Sequence, residues 1–280
     1  MVAVRAGSPQ TPPMAVSAVL FFGYIEAMEV PSLRLTPLWR ESRVGFEAAA
    51  LLRSPIWRGE GVPPGGGRPV LLVPGFLAGD GSLGTMAKWL RANGYWTRRA
   101  GIRANVGCSQ ESCVRLEERL EALAERTGRK VTIVGQSRGG VLARVIAVRR
   151  PDLVERIVTL GAPTVSMLAV NPLVLLQVGL VGALGTGHVP GFFSMSCLRG
   201  TCCESFRSDM TGPFPDEVHY TALYSRSDGI VDWRACLDPG ADDLIEIRAS
   251  HCGMALNRTA YEHLAHALAG EGASRLADAA

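Results

Sequence analysis

The sequence predicts an α/β protein, with a mostly parallel central sheet flanked by helices and a cap inserted late in the chain. Three observations lead there. Short aliphatic or β-branched runs alternate with helix-like stretches, the pattern of a parallel sheet covered on both faces. One such run, Val131-Thr132-Ile133-Val134, leads directly into Gly135-Gln136-Ser137-Arg138-Gly139, a pattern suited to a sharp strand-to-helix turn. Finally, Gly161 to Leu198 contains no Asp, Glu, Lys or Arg, which marks an apolar insertion. A chain of 280 residues suits one such domain with an N-terminal extension and an insertion.

Residues 1–67 read as a helical extension and linker, 68–270 as the main domain and 271–280 as a tail. The apolar run Met14–Ile25 follows Arg5 in the manner of a signal peptide. Glu26 and Glu29 come straight after it without a small-x-small cleavage site, so the pattern favours the cytoplasm over export. Arg34 to Arg58 reads as an amphipathic helix plus a tether, and Gly61 to Gly67, with Pro63 and Pro64, as the linker. Val70–Val73 is the first strand, ending at Pro74-Gly75. An amphipathic stretch Leu83–Leu90 stops at Asn93-Gly94, and Tyr95–Ala100 is strand-like. Glu111–Arg126 is helical, with Leu116, Leu120 and Leu123 on one stripe and Gly128 as its stop. Val141–Arg149 continues as a helix halted by Pro151, and Arg156–Leu160 is a buried strand.

The insertion, from Thr164 to Pro215, contains the apolar run Leu173–Val181. Asn171-Pro172 and the glycines at 179, 182, 185 and 187 interrupt it, and a bilayer crossing there would separate Ser137 from the polar residues downstream. It reads as a cap or lid over Ser137, lining an apolar pocket. The competing reading is a buried helix pair that only completes the core. After it come the strands around Tyr220–Tyr224 and Asp243–Ile247, then a terminal helix carrying His263 and His266.

Ser137 on a strand-to-helix turn is a candidate nucleophile: small glycines allow the tight turn, and the following helix N-terminus favours developing negative charge. A serine hydroxyl needs a base, and the base needs a group that fixes its tautomer. Of the five histidines, His251 lies in a polar turn after a strand, and Asp228 lies at the end of Tyr220–Tyr224 before Gly229. The chain order Ser137, Asp228, His251 matches that of a serine triad on such a sheet. Asp232 is the alternative acid. Two backbone N–H groups must stabilise an oxyanion. Arg138, after the nucleophile, offers one; Phe76, in the turn after the first strand, offers the other, with Leu77 as the alternative.

Four motifs, Leu72-Val73-Pro74-Gly75-Phe76, Gly135-Gln136-Ser137-Arg138-Gly139-Gly140, Ser227-Asp228-Gly229-Ile230-Val231 and Ser250-His251, occur in this order between Arg68 and Gly270. Together they resemble the α/β-hydrolase superfamily, most of all its bacterial lipase/esterase branch. The branch usually has His-Gly where this chain has Pro74-Gly75, which leaves the choice between Phe76 and Leu77 open. The resemblance implies an α/β-hydrolase fold and hydrolysis of a small-molecule ester, with a hydrophobic acyl chain implied by the lid, and peripheral contact of that lid with a lipid surface. An acyltransferase using the same triad and a non-catalytic binding protein on the same fold are the alternatives.

The net charge of +3 is small and unclustered, so no nucleic-acid partner is expected. Seven cysteines leave at least one unpaired in a monomer. Cys108 with Cys113, Cys197 with Cys202 or Cys203, and Cys236 with Cys252 are the local disulfide options, and buried thiols are the competing reading. No Cys-x-x-Cys pair or histidine cluster has ligand spacing, so neither metal nor cofactor is expected.

Overall fold

The computed structural model describes residues 36–270. The expectations for Met14–Ile25 and for the tail at 271–280 lie outside the described residues. Six strands form one sheet in the order β2-β1-β3-β4-β5-β6, with every neighbouring pair parallel. They are β1 (Pro69–Val73), β2 (Trp96–Arg99), β3 (Val131–Gln136), β4 (Val154–Leu160), β5 (His219–Tyr224) and β6 (Asp243–Glu246). β1 and β3 are buried along their whole length, as covered parallel strands require; the edge strands β2 and β6 are largely open and bear charged side chains.

The two faces follow from side-chain alternation. Val70 and Leu72 point to the side packed by α1 (Val44–Arg53), α2 (Gly84–Ala92) and α8 (Arg258–Ala269), through Leu51, Trp89 and Tyr261. Leu71 and Val73 point to the other, packed by α3 (Ser109–Thr127) and α4 (Arg138–Arg149) through Leu116, Leu120, Val145 and Ile146. The stop predicted at Gly128 is there, in the left-handed conformation at φ +64°.

The N-terminal segment is more than a tether. α1 buries Leu51, and Ile56 accepts a hydrogen bond from Trp89 Nε1 at 2.7 Å. The expected linker is also fastened: Gly65 and Gly67 donate to the carbonyls of Asn93 and Gly94 at 2.8 Å each. Residue 68 is therefore no structural boundary, because residues 36–67 share the core of the sheet's first face.

The segment expected to form a lid, 164–215, divides into two parts. It forms α5 (Pro172–Thr186), α6 (Met195–Arg199) and α7 (Glu204–Thr211). Asn171 caps α5 by accepting from Leu173 N–H at 3.0 Å, with Pro172 at the first helical position, where a missing N–H costs nothing. α7 completes the core: Phe206 is buried beside α4, and Arg149 on α4 is 2.6 Å from Asp209. α5 covers the C-terminal end of the sheet instead. Leu175 and Val181 turn inward, while Leu173, Leu176, Leu180 and Leu184 face outward and are exposed. No helix among the described residues is long and apolar enough to cross a membrane.

Candidate active site

The sheet reverses direction of winding at β1, with β2 on one side and β3 on the other. The crevice at the C-terminal ends of strands beside such a point is where ligands bind in open α/β sheets. Ser137 follows β3 there, and Pro74-Gly75-Phe76-Leu77 follows β1.

Ser137 has φ +51° and ψ −125°, a strained conformation for a residue with a side chain. Three glycines make the turn sterically feasible. A Cβ on Gly135 would stand 2.5 Å from the Gly139 carbonyl oxygen, one on Gly140 would stand 2.5 Å from Ala162 Cβ, and one on Gly139 would collide with the Val73 carbonyl. The turn holds Ser137 at the N-terminus of α4, whose positive end favours negative charge. Ser137 Oγ has no hydrogen-bond partner among the described residues.

Asp228 and His251 are brought together. Asp228 Oδ2 is 2.7 Å from His251 Nδ1, while Oδ1 accepts from the N–H groups of Ile230 at 2.8 Å and Val231 at 2.7 Å. Both side chains are buried. Burial alone would push the His251 pKa down; the charge and hydrogen bond of Asp228, with help from Glu41, hold it above its ordinary value. Asp232 is not part of this pair. Its carboxylate caps the next helical turn, accepting from Arg234 N–H at 3.1 Å and pairing with the Arg234 guanidinium. Ser137, His251, Phe76, Leu77 and Arg138 all border one cavity of about 280 Å³, walled by apolar side chains from α5 and α7 such as Val174, Val178 and Phe206.

The turn after β1 is shaped for close approach. A Cβ on Gly75 would be 3.2 Å from Ser137 Cβ, Leu77 has φ +59°, and Asn105 Nδ2 anchors the Pro74 carbonyl at 2.7 Å. The Arg138 side chain turns away, donating to the carbonyls of Asn105 at 2.5 Å and Gly107 at 2.6 Å and to Ser109 Oγ at 3.0 Å. Burial pushes its pKa down to about 10.

Several residues that hold the site in place were not among the sequence candidates. Glu41, in the helical turn before α1, accepts through Oε1 from Gly229 N–H at 3.0 Å and His251 N–H at 2.9 Å, and through Oε2 from Cys252 N–H at 2.9 Å. It thus links the loop of Asp228 to the loop of His251. Glu47 on α1 is buried and accepts from Ser250 N–H at 2.8 Å and Ser250 Oγ at 2.6 Å. Gln136 Nε2 donates to the His251 carbonyl at 3.1 Å, and Ser225 Oγ donates to the Ala249 carbonyl at 2.7 Å. Glu41 and Glu47 lie in the stretch read as an amphipathic helix and tether, and only the fold shows what they meet.

All seven cysteines are free thiols. Of the two readings, disulfides or buried thiols, the described residues show thiols: Cys113 is enclosed in the core, its pKa pushed up to about 12 by burial, and Cys236 is likewise buried. Four others converge, since the sulfurs of Cys108, Cys197, Cys202 and Cys203 lie within 4.8 Å of one another. Linear spacing concealed this set, because Cys108 is 94 residues from Cys202.

No family model matches the sequence. Among solved structures, the chain is similar to the mature form of Bacillus licheniformis lipase BlEst2, with a TM-score of 0.57 at 20% identity over 74% of this chain and 94% of that one. It is also similar to a soluble variant of the Saccharomyces cerevisiae monoglyceride lipase in complex with a substrate analogue, with a TM-score of 0.53 at 13% identity over 74% of this chain and 89% of that one. The chain has the α/β-hydrolase fold. In the α/β-hydrolase frame, Ser137, Asp228 and His251 follow the ends of β3, β5 and β6, and the segment 164–215 enters between β4 and β5.

Proposed function

We propose that the protein is a serine carboxylic-ester hydrolase that acts on esters with a hydrophobic acyl chain. The observation that carries this reading is the buried His251–Asp228 pair bordering the same apolar cavity as a strained serine at a helix N-terminus. Similarity to two lipases adds support at the level of the fold. In this reading Ser137 Oγ attacks the ester carbonyl as His251 Nε2 takes its proton. Asp228 holds Nδ1–H and stabilises the imidazolium. The N–H groups of Arg138 and Phe76 receive the oxyanion, with Leu77 as the alternative to Phe76. The imidazolium then protonates the departing alcohol, and water attacks the acyl-enzyme with His251 again as base, returning Ser137 and releasing the acid. The exposed leucines of α5 lie on the lid's outer face, and their outward row suits peripheral contact with a lipid surface.

Hydrolysis of p-nitrophenyl esters of increasing chain length, run beside Ser137→Ala, tests this. Serine-dependent turnover, together with fluorophosphonate labelling of Ser137, is the expected result. Acyl transfer to added alcohols in preference to water would assign an acyltransferase instead. A chain that neither turns over esters nor labels is a binding protein on the same fold.

A further inference from the structure

We propose that Cys108, Cys197, Cys202 and Cys203 form a closed, structural zinc site that fastens the lid to the body of the domain. The geometry points to a shared centre. Cys108 Sγ is 3.5 Å from Cys202 Sγ and 3.4 Å from Cys203 Sγ, and Cys197 Sγ is 3.7 Å from Cys202 Sγ. A disulfide brings its two sulfurs to about 2.05 Å and pairs each with one partner. Here Cys108 and Cys202 each have two sulfur neighbours, and no pair is at bonding distance. Four thiolates at about 2.3 Å around a tetrahedral zinc ion stand about 3.8 Å apart, close to the separations observed.

The surroundings suit a negatively charged centre. Zinc bound by four thiolates carries a net charge of −2. Cys108 is the N-cap residue of α3 and Cys203 that of α7, so two positive helix ends converge on the sulfurs. Ser194 Oγ lies 3.5 Å from Cys197 Sγ. Arg138 is half-buried beside the cluster; among the described residues it has no carboxylate partner, and its guanidinium supplies a compensating charge. Four sulfur ligands leave no open coordination position, which marks a structural rather than a catalytic metal.

Binding balances without any redox change: one zinc(II) ion replaces four thiol protons, which pass to solvent, and four Zn–S bonds form. The site would join the loop before α3 to α6 and to the turn between α6 and α7, whose neighbours Leu198, Phe206 and Arg207 wall the cavity. It would thereby set the shape of the substrate pocket, whatever substrate that pocket takes.

The test is metal content of the full chain. Reduced protein is exposed to zinc chloride, dialysed against metal-free buffer and analysed for zinc and iron. About one zinc per chain is expected, falling at least about ten-fold in Cys108→Ser and Cys203→Ser and unchanged in Cys113→Ser and Cys252→Ser. Cobalt(II) added to the reduced wild-type protein gives an answer even if the variants fail to fold: intense bands of a tetrahedral tetrathiolate complex are expected. Retention of less than about a tenth of an equivalent of zinc, a weak octahedral cobalt spectrum, or full zinc retention in folded Cys203→Ser would each overturn the proposal.

Discussion

Replacing Glu41 by glutamine tests whether the N-terminal segment holds the His251 loop in its working position. The carboxylate of Glu41 accepts three backbone N–H groups, those of Gly229, His251 and Cys252. Glutamine keeps one acceptor oxygen and sets an NH2 group against at least one of these donors. A hydrogen bond to a charged group contributes about 1.5–3 kcal/mol, and because Glu41 is half-buried, solvent screening favours the lower part of that range. At 1.36 kcal/mol per decade, kcat should fall about ten-fold, and no more than about a hundred-fold. Glu41 does not border the cavity, so KM should hold. The second readout is pH. The Glu41 charge helps raise the His251 pKa, and removing it lowers that pKa. The neutral base then persists to lower pH, so the acid limb of kcat/KM moves down. Measuring kcat/KM against pH for a short soluble ester follows both effects. An undiminished kcat, or a slower enzyme whose acid limb stays in place, would refute the reasoning.

Asp228→Asn should reduce turnover by about 10⁴-fold through loss of the correct tautomer, whereas Asp232→Asn, which disturbs only a cap, should cost less than about three-fold; ester hydrolysis by the two variants decides it. Arg144 and Asp238 form a buried ion pair at 2.6 Å. Arg144→Met leaves the carboxylate buried alone and should cost about 3–5 kcal/mol, roughly 10 °C in Tm, and adding Asp238→Leu should restore most of it in thermal unfolding. Exchanging Leu176 and Leu180 for Asp removes two side chains, each able to contribute about 1.5–3 kcal/mol on burial, from the outward row of α5. Hydrolysis of an emulsified long-chain ester should then drop at least about ten-fold while that of a soluble short-chain ester stays unchanged.

The sheet was legible because its strands are short apolar runs bounded by turn residues, and because Gly128 and Pro151 end their helices unambiguously. The Ser137 turn was legible for a local reason: its glycines answer to clashes within a few residues or with the adjoining strand. Asp228 was the first choice of acid in the sequence and Asp232 the alternative; the structure adds that Asp228 contacts His251 while Ile230 and Val231 hold its other oxygen. α5 carries apolar residues on all sides, so its periodicity could not say which face met the cavity. Glu41, Glu47 and the place of Cys108 beside Cys197, Cys202 and Cys203 were illegible because each meets its partners across a long stretch of chain, where spacing in sequence carries no signal.

The bond between Glu41 and the His251 N–H spans 210 residues. During synthesis at about 5–20 residues per second, the helical turn bearing Glu41 emerges about 10–40 s before the loop it must grip. Until then Leu51 and Ile56 also lack the α8 residues that finish their side of the core. The bonds that hold the His251 loop to Glu41 therefore close only late, when these two distant parts of the chain meet. A chain stalled before β6 could display Ser137 on a finished turn while lacking both Glu41's partner loop and His251 itself.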